Sequence, residues 1–430
     1  MKPTSTFWLL LLTLTGFSAS NLQADEVTDW NAIMFQAALT ATPPTTPLVT
    51  TRVAAIVQGA VFDAVNGIER RYTPLHVIAD APRGASQRAA AVEAAYASLV
   101  LLYPAQKSTF DAKRANSLAG IASGSAAENS ESIERGISWG DQVAAAIWAW
   151  RSADGFTPAP APDFGTAAIG VWRATPPGNL PFAGLQFSHM TPWVINSPGQ
   201  FRPGGPPPLN SPQYATDFNE TKVWGSLTSP VRSPDETLYS LFWNASTAPY
   251  YWDQIAISLA GANHLTFSEN ARLLAMTNVA MADAAIGCWD AKDHYRFWRP
   301  ITAIREPTAS AINPATSPDP TWTTLFATPA HPDYPSGHSC VSGAAGRALA
   351  NYFGDDNSFS VTSDVMSGVT RYFPSISAAT TEVRNARVFA GIHFRTATND
   401  GQTLGTDVAD WVQTHAFLSV NGNRVGQIKH

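Results

Sequence analysis

Apolar residues recur at spacings of three and four through residues about 28–70 and 85–150, in stretches such as AAAVEAAYASLVLLY and GDQVAAAIWAW. That period predicts Ala-rich helices. From Asp154 to about Ser233 the pattern stops, because Pro158, Pro160, Pro162, Pro176, Pro177, Pro206, Pro207 and Pro208 interrupt any regular element. The same stretch carries Trp172, Phe182, Phe187, Trp193, Phe201, Tyr214 and Trp224, an aromatic load that predicts a segment wrapped onto the body of the protein and not a disordered linker. Helical periodicity returns from about Ser233 to Ala262 and again from Thr266. There Thr266 and Glu269 suit a capping box, and Leu273, Leu274, Val279, Ala282 and Ile286 mark one face. Strand alternation is nearly absent. The predicted fold is all-α: two stacked helical bundles with a long Pro- and aromatic-rich wrapping segment and no short internal repeat. The expected division is an N-terminal helical region over 25–265, wrapping segment included, and a C-terminal helical domain over 266–430.

Residues 1–24 are set apart by an early Lys2, an apolar run from Phe7 to Phe17, and small residues near Ala19 and Ala24 ahead of Asp25 and Glu26. This reads as a cleaved export signal, since about 11 apolar residues fall short of the ~20 needed to span a bilayer. The mature chain is therefore expected to be secreted or periplasmic, without a stable membrane anchor. Charged residues make up only 14% of the 430, against a typical ~25%, while 45% are hydrophobic, which argues for a large core and against disorder or coiled coil. With 27 Lys and Arg against 33 Asp and Glu, the net charge is −6 and no basic run suggests a nucleic-acid partner. The two cysteines, Cys288 and Cys340, have two open readings in an exported chain, a disulfide or a pair of buried thiols.

Three short motifs carry candidate chemistry. In Asp290-Ala-Lys-Asp-His-Tyr-Arg-Phe-Trp-Arg-Pro300, Lys292 and Arg299 are seven apart; on one helix they would lie about 20° from alignment and share a face able to hold an anion, with Pro300 ending or bending that helix. In His331-Pro-Asp-Tyr-Pro-Ser-Gly-His338, Ser336 suits the N-cap of a following helix. The N–H groups of Gly337 and His338 would then stand unpaired where the helix dipole favours negative charge. In Asn385-Ala-Arg387-Val-Phe-Ala-Gly-Ile-His393, Arg387 offers a bidentate grip on an oxyanion, and His393 meets it only if the Arg side chain curls or a helix starts near His393. Taken singly, each motif also reads as ordinary structure: a solvated basic face, a capped turn, a hydrogen-bonded core histidine.

Their combination and order resemble the active site shared by vanadium-dependent haloperoxidases and type 2 phosphatidic acid phosphatases. The motifs cover Lys292 to His393, and a softer likeness extends upstream to Gly170-Val-Trp-Arg and to Phe201-Arg-Pro with Pro206-Pro-Pro, as in secreted bacterial members of the haloperoxidase side. The resemblance implies a phosphate-competitive vanadate cofactor whose oxygens are bound by Lys292, Arg299, Ser336, Gly337 and Arg387. It makes His393 the ligand of vanadium or, in a phosphatase, the nucleophile toward phosphorus, and His338 the acid–base residue. Lys292 would also polarise the reacting oxygen. The physical logic is common to both chemistries, because fixed cationic donors stabilise a tetrahedral oxyanion as it becomes five-coordinate.

Two positions favour the haloperoxidase, which would take hydrogen peroxide, a halide and a small organic acceptor. Trp289, three before Lys292, matches an aromatic near the halide site, and His331, five before Ser336, matches the second histidine of bromoperoxidases, so bromide or iodide is favoured over chloride. The alternative is an acid phosphatase working through a phosphohistidine. That group usually has Ser before the Arg of the third motif and Asp four after its His, where this chain has Ala386 and Ala397. Asp400 would lie about 10 Å from His393 along a helix, too far for a hydrogen bond. The Asp that often supports the acid–base His after an aromatic pair is also missing: Phe242-Trp243 leads into Asn244 and Ser246. Two further readings are a three-histidine metal site from His331, His338 and His393, disfavoured by the surrounding cations, and a non-enzymatic oxyanion binder.

Overall fold

The computed structural model describes residues 25–123 and 126–420, and the expected export signal over residues 1–24 lies outside them. Five helices open the described chain: α1 (Glu26–Thr40), α2 (Pro47–Glu69), α3 (Gln87–Leu102), α4 (Lys107–Ala122) and α5 (Ser130–Arg151). After the wrapping segment come α6 (Pro212–Trp224), α7 (Pro234–Ala245), α8 (Ala248–Ala262) and the long α9 (Phe267–Tyr295). Short α10 (Pro300–Arg305) and α11 (Ala309–Ile312) precede α12 (Gly337–Phe353). A hairpin of β1 (Phe359–Thr362) and β2 (Thr370–Phe373) leads to α13 (Ile376–Phe389) and α14 (Arg395–His415).

Helices α2, α3 and α5 pack on one another, α9, α12 and α14 form a second group, and α2 lies against α9 where the two meet. One hydrophobic cluster runs through both groups, so the expected all-α, two-bundle architecture is the one observed. Helix α2 is long and apolar enough to cross a membrane, yet it is a core helix buried between its neighbours. Small residues set the closest approach. A Cβ at Gly405 of α14 would stand 2.1 Å from the carbonyl oxygen of Cys340, so α12 and α14 meet backbone to backbone there. Cys288 and Cys340 are both buried free thiols.

The wrapping segment packs as its aromatics require: Trp172, Phe182, Phe187, Trp193 and Tyr214 are buried, Phe201 and Trp224 half-buried. Asp283, buried in α9, accepts the N–H groups of Trp193, Val194 and Ile195 at 2.6, 2.8 and 3.0 Å. Three details depart from the expectation. Residues 212–224 are helical despite the prolines around them, because Pro212 sits at the first helical position, where an N–H is not needed, and Ser211 caps the turn. The stretch from Ser233 to Ala262 is two helices, parted at Ser246, with Thr247 capping α8. The β-hairpin has strands of four residues, too short for alternation to register.

One buried carboxylate makes stability depend on pH. Asp253 of α8 is fully buried against Asn278, which donates to both its oxygens at 2.9 Å, and burial pushes its pKa up to about 8. A folded-state pKa raised above the unfolded value means that this contribution is complete below about pH 4 and is lost as pH rises through 8. Asp63 and Asp283, raised by burial to about 6, act in the same direction over a lower window. Urea unfolding should therefore show stability falling between pH 7 and 8, by roughly 1 kcal/mol for a single titrating group. Asp253→Asn should flatten that interval, and an unchanged slope in the variant would remove Asp253 as its cause.

Candidate active site

Helix α9 ends at Tyr295, and Arg296 adopts a left-handed conformation (φ 47°) that turns the chain. Lys292 therefore projects from the last turn of α9, whereas Arg299 is the N-cap of α10 and Pro300 its first residue. This corrects the expectation of one shared helix face ended by Pro300: a proline ring is preset for the start of a helix, and here it begins one. The wrapping segment steadies the turn, since Trp172 N–H donates to Arg296 O at 2.6 Å and Trp298 N–H to Gly170 O at 3.1 Å.

Both side chains are buried and converge all the same on the loop before Ser336. Lys292 Nζ donates to the carbonyls of Pro332, Asp333 and Pro335 at 2.6, 3.2 and 2.5 Å. Arg299 donates from Nε to His331 O at 2.6 Å, from Nη1 to Ile392 O at 2.6 Å and from Nη2 to Pro329 O at 3.1 Å. The two cations thus shape the loop as well as charging it.

Ser336 caps α12, but its buried Oγ has no hydrogen-bond partner, and Gly337 opens the helix with N–H groups that its geometry leaves unpaired. Arg387 lies in the last turn of α13. Gly391 then takes φ 79°, and a Cβ there would stand 2.3 Å from Gly225 O, so only glycine fits. The break lets the N–H groups of Ile392 and His393 both reach Arg387 O, at 3.2 and 3.3 Å. Convergence of Arg387 and His393, left open by sequence spacing, is thus made by this turn. Arg387 Nη1 donates to Asn244 Oδ1 at 3.3 Å, and its buried Nε has no partner.

The imidazoles are oriented by their neighbours. His393 Nε2 is 3.0 Å from Arg299 Nη1, and its Nδ1 is 2.9 Å from Asp333 Oδ1, a close contact without the straight geometry of a full hydrogen bond. His338 Nε2 is 3.1 Å from Trp243 O. A carbonyl can only accept, so this nitrogen carries the proton and the neutral ring keeps Nδ1 bare. Trp289 is fixed by its Nε1–H to Ala183 O at 2.9 Å and sits beside His331, ring centroids 5.0 Å apart. Trp289, His331, Gly337, His338, Arg387 and His393 all line one cavity of about 500 Å³.

Charge in this site is unbalanced toward positive. Burial lowers Lys292 to about 8, Arg299 to about 10 and Arg387 to about 9, and the charge of Arg299 adds to the shift of the other two. Burial first, and then the same cations, hold His331, His338 and His393 well below the ordinary imidazole range. Asp333 is the carboxylate among them; burial raises it to about 7 against the pull of Arg299 and Lys292. Three buried cations, partnerless Ser336 Oγ and Arg387 Nε, and the unpaired N–H groups of a helix start together fit a small tetrahedral oxyanion. Among the described residues no group of three or more His, Cys, Asp or Glu is arranged to hold a metal ion.

A sequence family described as the VCPO second helical-bundle domain matches residues 272–422. The vanadium chloroperoxidase of Curvularia inaequalis is 29% identical over an alignment covering 30% of this chain and 24% of that protein, so the match spans about a quarter of the relative. The crystal structure of the first bacterial vanadium-dependent iodoperoxidase superposes with a TM-score of 0.78 at 26% identity, covering 92% of this chain and 97% of that one. Residues 272–422 thus match the second helical-bundle domain of this family, and the fold as a whole is similar to that of vanadium haloperoxidases. A holo-type bacterial vanadium-dependent chloroperoxidase shares the fold at a TM-score of 0.67 and 18% identity, over 92% of this chain and 99% of that chain.

Both histidines have partners that the sequence left open. The carboxylate beside His393 comes from Asp333, on the loop before Ser336, and not from the helix after His393, where Ala397 stands. Asp400 instead accepts from Tyr334 OH at 2.5 Å. The partner of His338 comes from the aromatic pair after all, through the backbone of Trp243, while Asn244 serves Arg387. Asp333 is the site residue that sequence reasoning missed. Its signal was an acid placed inside the second motif itself, at a position where a buried loop has no other use for a charge.

Proposed function

We propose that this chain is an exported vanadium-dependent haloperoxidase that oxidises halide with hydrogen peroxide, with bromide or iodide favoured over chloride, and that its vanadate-binding domain begins near residue 266. The observation that carries the reading is the pairing at His393: a carboxylate on Nδ1 leaves Nε2 as the lone-pair nitrogen, facing the cationic end of the cavity. Lys292, Arg299 and Arg387 would hold vanadate by charge, with Ser336 Oγ and the Gly337 N–H as neutral donors and His393 Nε2 as its protein ligand. When bound, vanadate supplies a Lewis-acid centre that activates peroxide without changing oxidation state.

The chain's own residues do the rest. His338, kept neutral by burial and by Arg387, presents Nδ1 as a proton acceptor while Trp243 O holds its other nitrogen. Trp289 and His331 form the aromatic wall past which halide approaches. The family's iodoperoxidase, with its high structural similarity, supports a heavier halide for this chain.

Acid phosphatase is the second reading, and Asp333 favours it too, because a carboxylate on Nδ1 also sharpens Nε2 as a nucleophile. One preparation separates the two. Mature protein loaded with orthovanadate should oxidise bromide or iodide with hydrogen peroxide, and the vanadate-free protein should release negligible phosphate from an aryl phosphate. Vanadate-inhibited phosphate release without halide oxidation would move the chain to the second reading.

A further inference from the structure

The cavity is larger and more apolar than the inorganic reactants require. At about 500 Å³ it falls within the ~300–1,000 Å³ of small-molecule sites. An oxyanion, a peroxide and a halide together replace on the order of five or six waters, which at ~30 Å³ each is well under half of that space. Beyond the cradle its wall is built from Leu48, Val49, Ala248, Pro249, Ala330 and Val341, none of which can bind an anion or activate peroxide. Such lining gains nothing from small hydrated ions and is stabilised by apolar contact.

We infer that this cavity binds a small, neutral, planar aromatic molecule beside the oxyanion cradle, as the organic acceptor of the oxidised halogen; the acceptor role rests on the haloperoxidase reading. Three observations on different elements converge on it. The first turn of α2 and the start of α8 line the same cavity as His338, Arg387 and His393, so the apolar wall and the reacting end share one space. Trp289 and His331 stand 5.0 Å apart at 50°, forming an aromatic corner suited to offset or edge contact with a ring. The amide of Gln186, which lines the same cavity, is a polar handle for such a ring. A ring held there shares one cavity with the cradle, so oxidised halogen is formed within reach of it. The reaction is an electrophilic aromatic substitution: hypohalous acid gives up its halogen to a ring carbon, the C–H electron pair restores the ring, and the proton leaves with hydroxide as water.

The test uses 6-fluoroindole as the probe and the mature chain. Fluorine-19 NMR should show saturable binding without vanadate, weakened at least tenfold in Ala248→Leu and, as an independent plug, in Leu48→Trp. Iodide oxidation by both loaded variants should stay within about twofold of the parent. In turnover, the product ratio of 6-fluoroindole against bulky, anionic phenol red should exceed severalfold the ratio given by reagent hypohalous acid, and the plugs should return it to the reagent value. No saturable binding, or binding that both plugs leave unchanged, overturns the site even where iodide oxidation is intact. Binding with the reagent's product ratio overturns the acceptor role. Plug-sensitive binding in a protein that oxidises no halide upholds the cavity ligand and sinks the haloperoxidase reading, and the acceptor role with it.

Discussion

His393→Ala is expected to abolish vanadate retention, a loss larger than the roughly 10–100-fold typical of removing an outer partner of a ligand. The reason is geometric. Lys292 spends its three donors on the carbonyls of Pro332, Asp333 and Pro335, and Arg299 three of its five on those of Pro329, His331 and Ile392, so the two hold an oxyanion mainly by charge. Without the covalent character of a nitrogen ligand, Arg387, Ser336 and the α12 N-terminus would bind vanadate about as they bind phosphate. Equilibrium dialysis would read the retained vanadium, circular dichroism would verify the helical fold, and millimolar imidazole should restore part of the binding through the space left. Undiminished retention in the variant would refute the ligand assignment.

Asp333→Asn is the second substitution expected to act strongly, and on two readouts at once. Replacing the carboxylate at Nδ1 by an amide makes Nε2 a poorer donor, so vanadate affinity should fall about 10–100-fold. The same change removes the carboxylate that stands among Lys292, Arg299 and His393, and leaving buried charges without their partner typically costs about 3–5 kcal/mol. Asp333 itself is raised to about 7, so below that pH it becomes protonated and resembles the amide. Because the folded-state pKa lies above the unfolded one, the parent's stability margin over the variant should be largest near pH 4, narrow as pH rises to 7 and level off above it. At equal concentration vanadate should raise the parent's melting temperature more than the variant's, because ligand stabilisation grows with affinity. A stability margin that does not change between pH 4 and 8, with affinity within twofold of the parent, would show that Asp333 is a bystander.

Much of this protein was legible along the chain. Three-and-four periodicity identified the helices of both bundles because a helix's buried face repeats at 3.6 residues whatever it packs against. The aromatic load between Asp154 and Ser233 identified a packed segment because large rings are stable only when covered. The three motifs identified the cradle because their side chains have few other reasons to occur together. Each of these signals is local, a property of residue type and spacing. The helix at 212–224 was hidden for the same reason: prolines read as breakers until their position at a helix start is known.

What tertiary structure decided is everything that depends on where two distant segments touch. Lys292 and Arg299 meet across a left-handed turn at Arg296 and not along a helix. Arg387 and His393 meet because Gly391 passes against the backbone of Gly225, a contact across 166 residues of chain. The carboxylate for His393 comes from 60 residues earlier, and the acceptor for His338 is a carbonyl, which every residue carries and no sequence pattern can single out. Sequence determined which chemical groups are available, because that is fixed residue by residue. Only the packing of α9, α12, α13 and the loop before Ser336 determined which of them face one another, because hydrogen-bond partners and burial are properties of pairs.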